Sequence, residues 1–423
     1  MARFLDPLRR RDFLLFWSAM AISLVGDQLT FIALPWLVLM VTGDPLVMGT
    51  VMAVAGIPRA LLMLVGGVVT DAVSPRTVLL LSTTLRGLLI GTLAGLTAAG
   101  AVEVWMLFAI GFLFGVADAF AFPAGSTIPR RLLCDEELAA GNGLIQGSAQ
   151  ISLAIGPVLA GALIALLGSG ETGSAEGGIT DGTGLAVAFG LDALTFLLGC
   201  LLLLAMRPMA ASGGGAEGSL LESIALGLRY VWDDMALRVI TILFAIMGLV
   251  FRGPFVVGVP AFAEGHLEEG ALAFGVMMSM IGLGSLLGAI LAGTTKLPDG
   301  RWLAPGLLLV FAAYGLILIL MTLVPDLYLL SGLILIAAIV DGFMVIWAIT
   351  WLQTRVEVAL LGRVMSVVML AGQGLFPISA AAAGVLAGID VLLMLRVGGG
   401  LLVLIVVLFL LVPAVRRTGH PVG

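Results

Sequence analysis

Charged residues are scarce in this chain. Asp, Glu, Lys and Arg make up 11% of the 423 residues, whereas apolar side chains make up 61%. A soluble domain carries roughly 25% charged residues, so this composition excludes a surface that faces water on all sides. No long polar stretch divides the chain into soluble domains. We therefore expect one membrane-embedded assembly.

Cysteine and histidine are also nearly absent. The two cysteines, Cys134 and Cys200, are too few for a disulfide framework and lack the spacing of a metal or redox site. His266 and His420 fall in a loop and a tail, and no phosphate-binding Gly-Lys-Ser/Thr loop is present. We expect no catalytic residues, no bound metal, no cofactor and no enzyme activity. Energy for any work must then come from an ion gradient.

Long apolar runs fill the sequence instead. Runs such as Val391 to Val412 are apolar on nearly every face, which excludes the alternating pattern of a transmembrane barrel. The 57 glycines favour closely packed membrane helices. A helix needs about 20 apolar residues to cross the hydrocarbon. We predict an all-α membrane protein with these twelve spans: 13–40, 46–70, 77–99, 103–127, 138–167, 184–206, 236–262, 272–295, 303–324, 327–353, 362–388 and 391–413.

Basic residues alternate between the predicted loops. Of the 20 Lys and Arg residues, 16 lie in or at the edges of the two termini and the loops after spans 2, 4, 6, 8 and 10. The opposite loops carry acidic side chains and no Lys or Arg. Because basic loops stay in the cytoplasm, both termini are expected there. Arg3 and Arg9 to Arg11 precede a long apolar run with no clear cleavage site, so the first helix is expected to remain.

The chain divides into two equal halves. We predict an N-terminal six-helix bundle over residues 1–206, a cytoplasmic linker over 207–235 and a C-terminal six-helix bundle over 236–423. In the linker, Leu220, Ile224, Leu228 and Val231 repeat at helical spacing, which predicts an amphipathic helix on the membrane face. We interpret it as a tether between the halves.

The halves repeat each other with an offset of 223 to 225 residues. Pro35 matches Pro260 near the start of each half, and Gly161 matches Gly384 later. A duplicated six-helix unit in parallel orientation is typical of carriers that bind substrate between the halves. The repeat therefore favours a carrier over a pore.

Four ionisable side chains fall near the middle of spans: Asp27, Asp118, Arg252 and Asp341. A charge there costs about 2.5–3.5 kcal/mol, so such residues face the bundle interior and often mark function. The repeat relates Asp27 to Arg252 and Asp118 to Asp341. We hypothesise that the four line a central cavity, where Arg252 pairs with a carboxylate while another carboxylate takes and releases a proton. Interhelical salt bridges are the alternative.

Four further polar residues are weaker candidates: Arg59 in span 2, Arg86 in span 3, Asp192 in span 6 and Gln373 in span 11. An Arg86–Asp192 or Arg59–Asp27 pair would satisfy both partners, and we prefer that structural interpretation. Gln373 can hydrogen-bond a substrate or bridge two helices.

The loop after span 2, GGVVTDAVSPRTVLL, resembles the signature of the major facilitator superfamily. Gly67, Asp71 and Arg76 fit that signature, whereas Ala72 replaces a basic residue and Ser74 a glycine. The resemblance implies that this loop locks the two halves together on the cytoplasmic side. The departures imply a weaker lock.

Span 5 contains Gly156, Pro157 and Gly161 in a run similar to the Gly-Pro-x-x-Gly-Gly motif of proton-driven efflux members. FAFPAGSTIPRRL after span 4 and WLQTRVEVALLGRVMS after span 10 resemble the branch that exports macrolides and siderophores.

This resemblance implies a monomer in a bacterial inner membrane that exports amphiphilic small molecules in exchange for protons. It implies no nucleic-acid partner. A lipid or lysolipid flippase, a non-transporting sensor, a uniporter and a sodium-coupled carrier remain open.

Overall fold

The computed structural model describes residues 5–168, 182–209, 220–294, 302–356 and 358–411. Within its helices, the side chains outside this description are those at 63–68, 71–72, 135–136, 139, 220–225, 293–294, 353–354, 358–359, 361–363, 366 and 369. The described residues form helices and no strands.

A short 3-10 helix, Asp6–Arg9, is followed by fourteen longer helices, which we number along the chain. They are α1 (Arg11–Thr42), α2 (Pro45–Ala72), α3 (Pro75–Ala98), α4 (Val104–Leu132), α5 (Asp135–Leu167), α6 (Thr183–Ala205), α7 (Leu220–Asp233), α8 (Met235–His266), α9 (Ala271–Thr294), α10 (Leu303–Met321), α11 (Leu327–Arg355), α12 (Val358–Gln373), α13 (Phe376–Ile389) and α14 (Val391–Leu411).

Twelve segments in this part of the chain are long and apolar enough to cross a membrane. The linker helix α7 is not among them, and the eleventh segment contains α13 with the end of α12. The predicted all-α fold with twelve membrane helices is confirmed. The chain is a multi-pass membrane protein.

Short turns separate the first helices because of two local signals. Gly43 ends α1 with φ 60°, a left-handed conformation that favours glycine, and donates its N–H to the carbonyl of Leu39. Pro75 begins α3 directly after the extended residue Ser74, at the position where a missing N–H costs nothing. These signals bring consecutive spans back across the membrane.

The chain forms two compact units. Unit 1 contains residues 1–44, 54–217 and 274–279, and unit 2 contains residues 45–53, 218–273 and 280–423. In unit 1, α6 packs against α1 and α3, and α5 packs against α1. A buried apolar cluster that includes Phe13, Phe16 and Leu79 fills one end of this unit.

Unit 2 has its own packing. Helix α10 lies against α11 and α14, while α7 and α8 pack on α12. Val231 of α7 is fully buried in a cluster with Leu237, Leu352 and Val364. The sequence places Val231 on a membrane-facing stripe, but the structure buries it in the protein. Exposed Leu226, like Leu228, faces away from that cluster.

Two spans of unit 2 are less regular than predicted. The span predicted as continuous over 362–388 is interrupted at Gly374 and Leu375, between α12 and α13. Pro377 explains the break, because a proline ring clashes with the carbonyl four residues earlier, which here belongs to Gln373 at the end of α12. In α8, two π-helical turns, Met247–Phe251 and Pro254–Gly258, flank Arg252. Such turns are frequent at functional sites.

Candidate functional site

Five ionisable side chains from five different spans come together in unit 1, and we call them the charge cluster. They are Asp27 of α1, Arg59 of α2, Arg86 of α3, Asp118 of α4 and Asp192 of α6. Each lies within a membrane-spanning helix, where an isolated charge is costly. Their convergence makes this cluster the candidate functional site.

Ion pairs connect four members of the cluster. Arg86 Nη2 pairs with Asp27 Oδ1. Arg86 Nη1 also lies 3.8 Å from Asp118 Oδ1, and Arg59 Nε lies 3.0 Å from Asp118 Oδ2. The side chain of Arg86 is 11% exposed, whereas that of Arg59 is 49% exposed. Arg86 is therefore the buried centre and Arg59 the outer partner.

Asp192 is held by hydroxyl groups instead. It is fully buried, and Thr30 Oγ1 donates to its Oδ2. Thr195 Oγ1 lies 3.1 Å from Asp192 Oδ1 and 2.7 Å from the Asp192 carbonyl. Gly26, next to Asp27, leaves the space that Asp192 and Thr195 occupy, since a Cβ there would collide with both side chains. This glycine brings Asp192 against α1.

Aromatic rings cover the guanidinium of Arg86. Its Cζ lies 4.9 Å from the ring centroid of Phe114 and 4.5 Å from that of Phe196. A desolvated cation over an aromatic face is stabilised electrostatically by the ring. The rings therefore help to hold the guanidinium between the carboxylates.

The charges of the cluster do not balance. Three carboxyl groups face two guanidinium groups, which leaves one negative charge in excess when all five are ionised. Buried charges are stable in apolar surroundings only when they are paired or neutralised. One bound proton would neutralise this set.

The pairings differ from those expected from the sequence. The sequence favours Arg86–Asp192 and Arg59–Asp27 pairs, but in the structure Arg86 pairs with Asp27 and Arg59 with Asp118. Hydropathy reports the depth of a side chain but not the direction in which its helix turns it. One available signal was that Arg59 and Arg86 are the cations that lie within predicted spans in the same half as Asp27 and Asp118.

Arg252, Asp341 and Tyr314 lie near one another in unit 2. Asp341 lies within electrostatic range of both Arg252 and the hydroxyl of Tyr314. The ring of Phe251 stacks on Phe255 at 5.0 Å and lies 4.6 Å from Tyr314. Asp27 and Asp118 belong to unit 1 and Arg252 and Asp341 to unit 2, so a shared central cavity stays a prediction.

The loop motif after span 2 is described in part. Arg76 donates from Nε to the carbonyl of Leu203 at 2.9 Å and from Nη2 to that of Leu204 at 3.0 Å, so it caps the end of α6 within unit 1. Gly67 and Asp71 belong to α2, but their surroundings lie outside the described residues.

The span 5 motif forms a close helix contact. A Cβ on Gly156 would collide with the side chain of Gln28 on α1, and Gly161 lies against Gly275 of α9. Pro157 lies inside α5, and the next N–H, of Val158, donates to Ser279 Oγ at 2.9 Å. The small residues of this motif thus allow close packing of α5 against neighbouring helices.

Gln373 is exposed and ends α12 beside the interruption. Of the described His, Cys, Asp and Glu side chains, no group of three is arranged to hold a metal ion.

Comparison with protein families identifies one match over most of the chain. The family model described as Major Facilitator Superfamily matches residues 16–381. The chain is 27% identical over 298 residues to the multidrug efflux pump Tap of Mycolicibacterium fortuitum, covering 67% of this chain and 66% of that protein. The chain thus spans just under two thirds of the length of this curated relative.

Solved structures share the fold. The nucleoside transporter NupG matches with a TM-score of 0.70 at 13% identity, covering 94% of this chain and 98% of that one. A bacterial homologue of the iron transporter ferroportin in an inward-facing state matches with a TM-score of 0.68 at 18% identity, covering 97% and 99%. Identities this low show the fold alone.

Proposed function

Since the chain belongs to the Major Facilitator Superfamily, whose members are membrane transporters and not enzymes, we propose that it exports amphiphilic small molecules in exchange for protons. The relatives named multidrug efflux pump support export of drug-like molecules. The charge cluster carries the proposal of proton exchange, because its excess carboxyl group provides a place for one proton.

We assign different tasks to the three carboxyl groups. The side chain of Asp27 is 28% exposed and that of Asp118 is 17% exposed, whereas Asp192 is fully buried. Asp27 is therefore the entry point for a proton in this arrangement. Asp192, whose partners are neutral hydroxyls, is the group best able to hold a proton while both arginines stay paired.

Protonation of Asp27 would break its ion pair with Arg86. The guanidinium could then move toward Asp118, whose Oδ1 is already 3.8 Å from Nη1. Because Asp27, Arg86 and Asp118 lie on α1, α3 and α4, this exchange of partners changes which helices are held together. In a transporter that alternates between two states, such a change biases the equilibrium between them.

The remaining setting follows from the same proposal. We place the protein in a bacterial inner membrane with both termini in the cytoplasm, as a monomer that uses the proton gradient and needs no cofactor. The distribution of Lys and Arg supports this orientation. Arg252, Asp341 and the aromatic rings beside them are our candidates for contact with the substrate.

Reconstituted vesicles test the proposal. The protein is placed in liposomes that enclose a pH-sensitive dye, and a macrolide, a siderophore or a lysolipid is added in turn. We expect at least one of the first two to drive proton movement. Asp27→Asn should abolish that movement while substrate-for-substrate exchange continues, because exchange needs no net proton transfer. Asp326→Asn, at an exposed loop, is the matched control and should behave as wild type.

Other outcomes would contradict the proposal in distinct ways. Movement of the lysolipid alone would indicate a flippase, and the absence of any flux would indicate a sensor. Substrate flux that is independent of the proton gradient would exclude proton coupling. The protein would then be a uniporter or a sodium-coupled carrier.

A further inference from the structure

A cavity of about 300 Å³ opens at one end of unit 1. It lies where α1 begins and where α4 and α6 end, and its lining residues are Arg10, Arg11, Asp12, Phe13, Arg131, Leu132 and Arg207. The charge cluster contributes no residue to this cavity. It is therefore a separate feature of the unit.

Positive charge dominates the lining. Four arginines and one aspartate face the cavity. Arg10 is paired outside the lining with Glu137, whose Oε2 lies 2.6 Å from Nε. Arg11 donates from Nη2 to the carbonyl of Ala205 at 3.1 Å, and no carboxylate among the described side chains forms an ion pair with it. The cavity thus suits an anion.

The position of the cavity indicates where that anion would come from. Along α6, exposed leucines follow one another at helical spacing and end three residues before Arg207: Leu194, Leu197, Leu198, Leu201 and Leu204. Such a stripe is the face that a membrane helix presents to acyl chains. The apolar parts of the lining, Phe13 and Leu132, lie beside the arginines. Guanidinium groups at the end of a lipid-facing stripe lie at the depth of phospholipid headgroups.

We propose that this cavity binds the phosphate of an anionic phospholipid headgroup, such as that of phosphatidylglycerol. Arginine presents several N–H donors to phosphate oxygens. Basic pockets between membrane helices on the cytoplasmic side are suited to anionic headgroups. The distribution of Lys and Arg predicts that this end of unit 1 lies on that side. The bound lipid would tie the start of α1 to the ends of α4 and α6.

The test measures lipid retention by the purified full chain. The protein is incubated with equal amounts of phosphatidylglycerol and phosphatidylcholine in mixed micelles, washed, and its bound lipid is counted by mass spectrometry. We expect wild type to retain phosphatidylglycerol preferentially. The double variant Arg11→Gln/Arg207→Gln should bind phosphatidylglycerol more weakly by a factor on the order of ten or more.

A matched double variant separates the cavity from general surface charge. Arg9→Gln/Arg229→Gln also removes two positive charges, but both side chains are 83% exposed and lie outside the cavity. This variant should keep the wild-type preference. The unfolding temperature of each variant shows whether it is folded, and Arg11→Lys/Arg207→Lys, which keeps both charges, should restore most of the retention.

Three results would overturn the proposal. One is a wild type without preference, and another is an equal loss in both double variants, which would assign the effect to general charge. The third is displacement of the bound lipid by inorganic phosphate, which would make the cavity a site for free anions. None of these depends on whether the protein exports drugs, so the proposed function is tested separately.

Discussion

Arg86 is the residue on which most of the charge cluster depends, because it faces Asp27 and Asp118 while two aromatic rings cover it. Removing one partner of a buried ion pair leaves the other charged and unpaired, which costs about 3–5 kcal/mol. We predict that Arg86→Met lowers the free energy of unfolding by about 3 kcal/mol or more. Denaturant titration in detergent would measure this loss.

Arg59→Gln is the natural control for that experiment. Arg59 also pairs with Asp118, but its side chain is half exposed, and exposed pairs contribute about 1 kcal/mol or less. We expect this variant to unfold close to wild type. Equal losses for the two variants would show that Arg86 is not the centre of the cluster.

For these charged residues, the sequence predicts their depth in the membrane but not their partners. The mid-span positions of Asp27, Asp118, Asp192 and Arg86 follow from the lengths of apolar runs, and all of them proved to lie within spans. Their pairing depends on how each helix is rotated about its axis. Packing sets this rotation, for example through the missing Cβ of Gly26. The hydropathy of the sequence does not report it.

At the scale of elements, the irregular part of α8 depends on a glycine. A Cβ at Gly253 would collide with the backbone of Ser379 on α13, and the Gly253 N–H donates to Ser379 Oγ at 2.8 Å. Overpacking of this kind costs about 1–3 kcal/mol. We predict that Gly253→Ala lowers the unfolding temperature and, by shifting neighbouring Arg252, weakens substrate binding.

Gly332→Ala in α11 provides the comparison, because a Cβ there meets nothing within 4 Å. Alanine is a better helix former than glycine by roughly 1 kcal/mol, so this change should be neutral or stabilising. Unchanged stability and unchanged substrate binding in Gly253→Ala would mean that α8 accommodates the extra methyl group.

The start of α8 depends on Asp234. Its carboxylate accepts hydrogen bonds from the N–H of Ala236 at 2.8 Å and from Arg355 Nε at 2.9 Å. Burial alone would raise the pKa of Asp234, but the hydrogen bonds from Arg355 and from the N–H of Leu237 outweigh it, so the pKa lies below its usual value. The resulting stability is present above about pH 4 and is lost as the pH falls through the folded pKa.

We therefore predict that Asp234→Ala lowers the free energy of unfolding by about 1–2 kcal/mol at neutral pH, the usual cost of a lost helix cap. The difference from wild type should shrink toward about pH 3. Unfolding temperatures across that range would measure it. Arg355→Gln should remove part of the same stability, and adding Asp234→Ala to it should cost less than in wild type. A loss that is constant with pH would argue against the ion pair.

Most elements could be predicted because twenty-residue apolar runs mark them directly. The interruption of the eleventh span escaped prediction, although Pro377 was visible, because a membrane helix often continues through a proline. The apolar stripe of α7 could also be predicted from the sequence. Its periodicity shows that one face is apolar but not whether lipid or protein covers it, and Val231 lies in the protein.

At the scale of the whole molecule, orientation is the property that the proposed direction of transport requires. Cys134 offers a direct probe, because it is exposed and follows Arg130 and Arg131 after α4. In a Cys200→Ala background, we predict that a membrane-impermeant maleimide leaves Cys134 unlabelled in intact cells and labels it in inside-out vesicles. Basic residues beside the cysteine should hold that loop in the cytoplasm.

A cysteine on the other side makes the assay decisive. Leu323 is 65% exposed in the turn between α10 and α11, where the neighbouring charge is acidic Asp326. Leu323→Cys, in a chain that carries Cys134→Ala and Cys200→Ala, should react in intact cells. The reverse labelling pattern at the two positions would place the cavity of four arginines on the outer face of the membrane. The orientation assumed for export would then be wrong.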